Sequence, residues 1–315
     1  MPDSRTLGRG VLHPGLAATR FALTRTQPSA ALAPFVDFYW IVRWDLRGQS
    51  PYQQTILPHP CVNLAFEASG ARIFGVDRRL FTRELAEQGR AFGVRFRAGC
   101  FRPFWPAPVS QLTDRVVPAA RLFGPRAEET RRAIMRADSD GQAVGDSGEE
   151  AVGDSGGDSG GDSGGDSGGD SGGDSGGDSG GDSGGDGEMT ARVEALLGSL
   201  RPERDPAAEQ AADLVTRITA DPALRRVDEL ATAAGMTVRS LQRLFVNYVG
   251  VSPKWVMRRA RLHEAAERAD SGNLVDWAEL AAGLGYADQA HLTRDFTATL
   301  GVPPTHYAAP TGPPS

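Results

Sequence analysis

The sequence predicts an α+β multidomain chain: a β-rich N-terminal domain, a disordered Gly-Asp-Ser linker and an all-α C-terminal domain built on a doubled helix-turn-helix. Three observations predict it. Apolar residues alternate at Val62, Leu64, Phe66 and again at Phe92, Val94, Phe96, with Gly, Pro and Asn as punctuation. A Gly-Gly-Asp-Ser repeat occupies residues 153–187. The stretch GMTVRSLQRLF, Gly235 to Phe245, returns about fifty residues later as GYADQAHLTRDF, Gly285 to Phe296.

At 315 residues and 40% hydrophobic content, the chain can bury a substantial core, and its length favours two domains over one. It has no run of about eighteen apolar residues to span a bilayer, and MPDSRTLGRG lacks the apolar region of a secretory signal. No membrane association and a cytoplasmic location are therefore expected. Cys61 and Cys100 are too few for a disulfide framework or a metal knuckle and read as small buried hydrophobes.

The N-terminal domain is placed at residues 1–137. Alternation with period two argues strands with one buried face, hence a barrel or sandwich. Tyr39, Trp40, His59 and Trp105 are its candidate ligand-pocket residues, within a wider aromatic set of Phe38, Trp44, Phe101 and Phe104. Ordinary core is the alternative reading of that set. His13 and His59 are too few histidines for a metal-dependent enzyme of this shape, so no metal, no cofactor and no catalysis are expected. This segment carries 20 Arg against 10 acidic residues, a net charge of +10, which leaves open an acidic partner or an anionic ligand.

Residues 138–188 form the linker, with no basic residue and 15 acids. The repeats offer no apolar side chain to offset the entropy of ordering. As a flexible coil the segment would span on the order of 40 Å. Its GDSGG pentapeptides match the local sequence around the nucleophilic serine of trypsin-like proteases. A serine nucleophile needs a histidine base and a carboxylate on a rigid scaffold, so the low-complexity reading is preferred. Residues 189–206 read as a helix associated with the N-terminal domain or with dimerisation, since Val193, Leu196, Leu197 and Leu200 recur at helical spacing. Its partner is either the chain's own N-terminal domain or the same surface of a second subunit.

Residues 207–310 form the C-terminal domain. Leu230, Ala231 and Ala234 give a short apolar face, Gly235 breaks the helix and Thr237 caps the next one. In that helix Leu241, Leu244, Phe245, Tyr248 and Val249 face a core, and Arg239, Gln242, Arg243 and Val246 lie opposite. Leu280-Ala281, Gly285, Asp288, Leu292, Arg294 and Phe296 repeat the pattern. Between the copies Ser252 and Pro253 start a helix that runs to about Ala269. Such a helix separates two units that would enter successive major grooves, about 34 Å apart, on one side of a DNA duplex. The alternative is a helical array with a solvated polar face. Residues 225–261 carry a net charge of +6 and residues 262–315 a net charge of −5. The first unit should therefore supply most phosphate affinity, through Lys254, Arg258, Arg259 and Arg261.

The segments SLQRLFVNYVGVSPKWVMRRARL and LAAGLGYADQAHLTRDFTATLGVPP strongly resemble the C-terminal DNA-binding domain of the AraC/XylS family of transcription regulators, over residues 207–307. The resemblance implies base reading by Arg239, Gln242 and Arg243 in the first unit and by Gln289, Ala290 and Arg294 in the second. Ala290 departs toward a poorer polar inventory, though it can pack on a thymine methyl. PSAALAPFVDFYWIVRW, TILPHPCVNLAFE and FGVRFRAGCFRPFWPAPVSQLTD resemble the cupin-like sensor domain of one AraC-type subgroup, with Ala98 in place of that subgroup's proline. The function this implies is a sequence-specific DNA-binding transcription regulator, modulated through the N-terminal domain. Its candidate partners are double-stranded DNA, RNA polymerase, a small-molecule effector and a second copy of the chain. A ligand-independent architectural or protein-interaction module is the rival.

Overall fold

The computed structural model describes residues 7–137, 184–221, 224–271 and 274–308. The repeats expected to form a disordered tether, and the GDSGG serines, lie outside the described residues up to position 183.

After a short helix α1 (Pro14–Ala17), the N-terminal domain is antiparallel β structure. Its strands are β1 (Ala22–Thr26), β2 (Val36–Asp45), β3 (Tyr52–Ile56), β4 (Asn63–Glu67), β5 (Gly70–Phe74), β6 (Phe81–Leu85), β7 (Gln88–Phe96) and β8 (Val116–Pro118). Six of them form one sheet in the order β1-β2-β7-β4-β5-β8, and β3 pairs with β6. The alternating residues set the register: Leu64 lies opposite Val94 and Phe66 opposite Phe92. All four are buried. A one-residue slip would turn this apolar face to solvent, which fixes the pairing.

Helices α2 (Ala120–Phe123) and α3 (Arg126–Arg136) follow the sheet, and α4 (Gly184–Gly198) packs beside α3. Met189, Val193, Leu196 and Leu197 of α4 join the core of the sheet, with Leu200 packed at its edge. Of the two partners open to this stripe, the chain's own N-terminal domain takes it. Helix α4 begins at Gly184, ahead of the boundary at 188 read from sequence. Asp186 is held there by an ion pair with Arg43 of β2.

The C-terminal domain begins with α5 (Pro206–Ala220), α6 (Val227–Ala233) and α7 (Val238–Leu244), and a π-helical stretch, Phe245–Val249, extends α7. Next come α8 (Pro253–Asp270), α9 (Trp277–Gly283), α10 (Gln289–Leu300) and α11 (Pro304–Tyr307). The caps are those expected from sequence. Thr237 accepts from the Ser240 amide, Ser252 from Trp255 and Asp288 from His291. Each satisfies an amide that the first helical turn leaves without a partner. Both inter-helix turns need glycine, because Gly235 and Gly285 have φ of 63° and 75°. At Gly285 a Cβ would also lie 2.1 Å from Nε of Arg225. Phe245 and Phe296 are fully buried at equivalent places in the two copies.

The two domains pack directly on each other. Val76 joins the core formed by α5, α7 and α8, and Leu12 and Leu57 join the core under α8, α9 and α10. Thr113 donates to the Gly250 carbonyl at 2.7 Å, and Arg259 of α8 donates to the Arg78 carbonyl at 2.8 Å.

Candidate nucleic-acid interface and the seam behind it

The side chains expected to read bases are all solvent-facing. Arg239, Gln242 and Arg243 lie on the exposed face of α7, and Gln289, Ala290 and Arg294 on that of α10. Leu241 and Leu244 on one helix, and Leu292 and Phe296 on the other, hold the opposite faces in the core. Each exposed row is therefore fixed in direction by the packing beneath it. Val246 adds an exposed apolar contact beyond α7.

The four expected phosphate contacts divide. Lys254 is exposed, and so is Arg258, which pairs with Asp295 of α10. Tyr286 donates to the other oxygen of Asp295 at 2.8 Å. Arg261 lies half-buried with its guanidinium 4.7 Å from the centre of the Tyr286 ring. Asp295 thus ties α10 to α8 through both a charge and a hydroxyl. Arg259 contradicts the sequence expectation. It is only 4% exposed, lies over the Trp255 ring, and points its guanidinium at the N-terminal domain. Burial pushes it down to about 10, so it stays charged at neutral pH, out of reach of a DNA backbone in this arrangement.

Of the aromatic residues expected to line a pocket in the N-terminal domain, Tyr39 lies in the core, Trp105 packs against it and Trp40 is half-buried. Tyr39 is fully buried and donates to Glu194 of α4 at 3.1 Å. Burial and the carboxylate of Glu194 both raise its phenol. Trp40 covers Gly93, where a Cβ would meet its ring at 2.0 Å. Trp105 stacks on Phe101. Cys61 and Cys100 are buried, and burial pushes the Cys100 thiol up to about 11. Among the described residues no group of three His, Cys, Asp or Glu is placed to hold a metal, and no helix is long and apolar enough to cross a membrane.

Of the four expected pocket residues, His59 lines a cavity that lies between the domains. It measures about 320 Å³ and is lined by Arg9, Arg25, His59 and Arg95 from one side and Arg259 and His263 from the other, with Phe38, Pro60, Thr219, Val256 and Ala260. The rings of His59 and His263 stack at 4.2 Å. Burial, then the neighbouring guanidinium charges, hold His59 well below the usual imidazole range and push His263 down to about 3. Arg9 pairs with Glu264 at 2.7 Å and Glu267 at 3.0 Å, both on α8. A second clamp lies nearby, where the His13 ring stacks on Tyr307 at 4.4 Å and Tyr307 donates to Asp270 at 2.9 Å. Burial raises the Asp270 carboxyl to about 6. The sequence analysis missed Arg9, Arg25, Arg95, Asp270, His263 and Tyr307 as a group. The arginine excess before residue 137 was a signal for Arg9, Arg25 and Arg95 alone.

Two family comparisons match parts of the chain. Residues 230–309 match a helix-turn-helix domain family, and residues 24–118 match a domain of unknown function, DUF6597. Comparison with curated proteins gives no match. Among solved structures, the chain is similar to ToxT from Vibrio cholerae O395 at 9% identity, covering 92% of this chain and 97% of that chain, with a TM-score of 0.38. It is also similar to unsaturated fatty acid bound wild-type ToxT from Vibrio cholerae strain SCE256, at 9% identity, covering 92% of this chain and 91% of that chain, with a TM-score of 0.36. Neither score reaches the level of a shared overall fold.

Proposed function

Starting from the AraC-type helix-turn-helix domain at its C-terminal end, we propose that this chain is a sequence-specific DNA-binding transcription regulator. It reads two successive major grooves with α7 and α10 and is modulated through its N-terminal domain. The observation that carries the reading is the correspondence of the two helices. Each has an oxygen cap, a glycine turn before it, an apolar row in the core and an exposed row containing an arginine. A solvated helical array needs no such match. Arg243 and Arg294 suit bidentate contact to guanine, and Gln242 and Gln289 suit contact to adenine, each contributing about 1–3 kcal/mol of discrimination. Lys254 and Arg258 supply phosphate contacts. A response to an effector passes through the seam against α5 and α8, where the N-terminal domain touches the reader. RNA polymerase is the partner a regulator of this kind meets at a promoter. The stripe on α4 that would have paired two copies is buried within the chain, so a homodimer uses another surface.

Genome-wide selection of bound fragments followed by footprinting tests the reading. Two protected major-groove segments about one helical turn apart are expected. Arg243→Ala should relax discrimination at one position in the first segment and Arg294→Ala at one in the second. Retention of an unchanged two-segment footprint by both variants would overturn the assignment of α7 and α10 as readers.

A further inference from the structure

The cavity between the domains has a chemistry of its own. Its lining holds four guanidinium groups and two imidazoles and no carboxylate. Acidic neighbours exist behind it: Glu264 and Glu267 pair with Arg9, and Asp37 lies 3.2 Å from Nε of Arg95. Arg259 has none. Its Nη2 donates to the Arg78 carbonyl, while its Nη1 is buried without a hydrogen-bond partner. His263 sits one turn along α8 on the same face and is likewise 4% exposed. Its Nε2 faces the Pro58 carbonyl at 3.4 Å. A carbonyl only accepts, so Nε2 carries the ring proton and Nδ1 is an acceptor. Nδ1 has no partner either. Two residues of the cavity lining, one turn apart on α8, therefore carry a buried charged donor and a buried acceptor. Each unmet group is expensive in a protein interior.

We infer that this cavity binds a compact oxyanion that also carries a hydroxyl, the anionic oxygen taking Arg259 Nη1 and the hydroxyl donating to His263 Nδ1. The fork of a guanidinium suits phosphate and carboxylate oxygens alike. Two sources offer such a group: a protonated phosphate or phosphate ester, and a hydroxy acid. The volume admits either with a small organic remainder against Phe38, Pro60 and Val256. The guanidinium groups of Arg25 and Arg95 lie 4.9 and 5.1 Å from the Phe38 ring centre, and all three residues line the same cavity from the N-terminal domain. The occupant is gripped from both domains at once. It therefore ties α8 to the N-terminal domain, a coupling that rests on the regulator reading above, whereas anion binding itself does not.

Calorimetry on the full chain near neutral pH, in a buffer free of phosphate, tests the site first without DNA. Inorganic phosphate is set against sulfate, which matches its shape and has no hydroxyl, and glycolate against acetate. The hydroxylated member of at least one pair should bind tenfold or more tightly than its mate, and the pair that does so identifies the source. Arg259→Met and Arg95→Gln, changes from opposite domains, should each weaken that binding by tenfold or more while both proteins unfold cooperatively. Equal binding within both pairs, no binding by any of the four, or full affinity in a folded Arg259→Met would overturn the site. DNA affinity is then measured with the preferred anion saturating. A change of fivefold or more is expected, and no change would refute the coupling and leave the site standing. Failure to bind any duplex would refute the regulator reading, and the calorimetry would still decide the site.

Discussion

Replacing Arg259 with Met separates two readings of the same residue, because it keeps the stem that packs on α8 and removes the charge. If Arg259 reached a phosphate, its loss would lower the slope of log affinity against log salt by about 0.9. In the structure its guanidinium is buried against Arg78 and Trp255, so the slope should be unchanged. The effect on stability follows from three opposing contributions. Holding the charge inside, with the group pushed down to about 10 by burial, costs about 3 kcal/mol that the variant regains. The hydrogen bond from a charged donor contributes about 1.5–3 kcal/mol and the contact with Trp255 about 0.5–2 kcal/mol. These nearly cancel, and the variant should unfold within about 2 kcal/mol of the parent. Fluorescence anisotropy on the footprinted duplex from 50 to 250 mM salt provides the slope, with Lys254→Ala as the control that should lose about 0.9. A slope reduced to the same extent in Arg259→Met would mean that the N-terminal domain leaves α8 when DNA binds, and the seam would not belong to the DNA-bound state.

Asp270→Asn should raise stability near pH 7.5 by up to about 3 kcal/mol and leave it unchanged near pH 4, because a carboxyl raised to about 6 favours the fold when protonated and loses that preference as pH rises through 6. Urea unfolding at both pH values checks it, and a pH-independent difference would refute the cause. Asp288→Ala removes the oxygen that accepts the His291 amide. It should cost about 1 kcal/mol of stability and weaken protection of the second half of the footprint more than the first. Leu196→Asp places a charge in the core shared by α4 and the sheet. It should cost several kcal/mol, and near-UV circular dichroism retaining the parent signal would show that the packing of α4 has been misjudged.

What the sequence made legible was local. Thr237, Ser252 and Asp288 are caps because a side-chain oxygen meets an amide two or three residues on, and that geometry is carried by the spacing alone. Gly235 and Gly285 follow from the backbone angle of one turn, and the pairing of Leu64 with Val94 from period-two alternation. What escaped was set by contacts across long separations. Asp186 belongs by composition to the acidic repeats, yet its partner Arg43 lies 143 positions away. Arg259 counts toward a basic segment, yet its partner is the carbonyl of a residue 181 positions earlier. A charge count along a helix does not distinguish an arginine facing solvent from one facing another domain. Tyr39 and Trp105, which pack in the core, could not be told from pocket lining for a related reason, since aromatic clusters have the same composition in a core and around a ligand.

The seam has a consequence for control that neither domain carries alone. Helix α8 meets the N-terminal domain through Arg259 and His263 and α10 through Arg258 and Asp295. Tyr286 anchors the same aspartate and receives Arg261 on its ring. A displacement of α8 is therefore transmitted to α10 by a rigid element and a hydrogen-bonded ion pair, with no part required of residues 138–183. Helix α7 is tied to the seam differently, through the Gly250 carbonyl that receives Thr113 at the end of its π-helical extension. Helices α7 and α10 are thus tied to the N-terminal domain at separate points, and repositioning that domain would alter their relative placement. On the proposed reading α7 and α10 must match the spacing of successive grooves, so a small change in placement should affect specific binding more than non-specific binding. Linkage makes the relation reciprocal. Whatever factor an occupant of the seam contributes to DNA affinity, the specific duplex contributes to the affinity of that occupant, and a non-specific duplex contributes less.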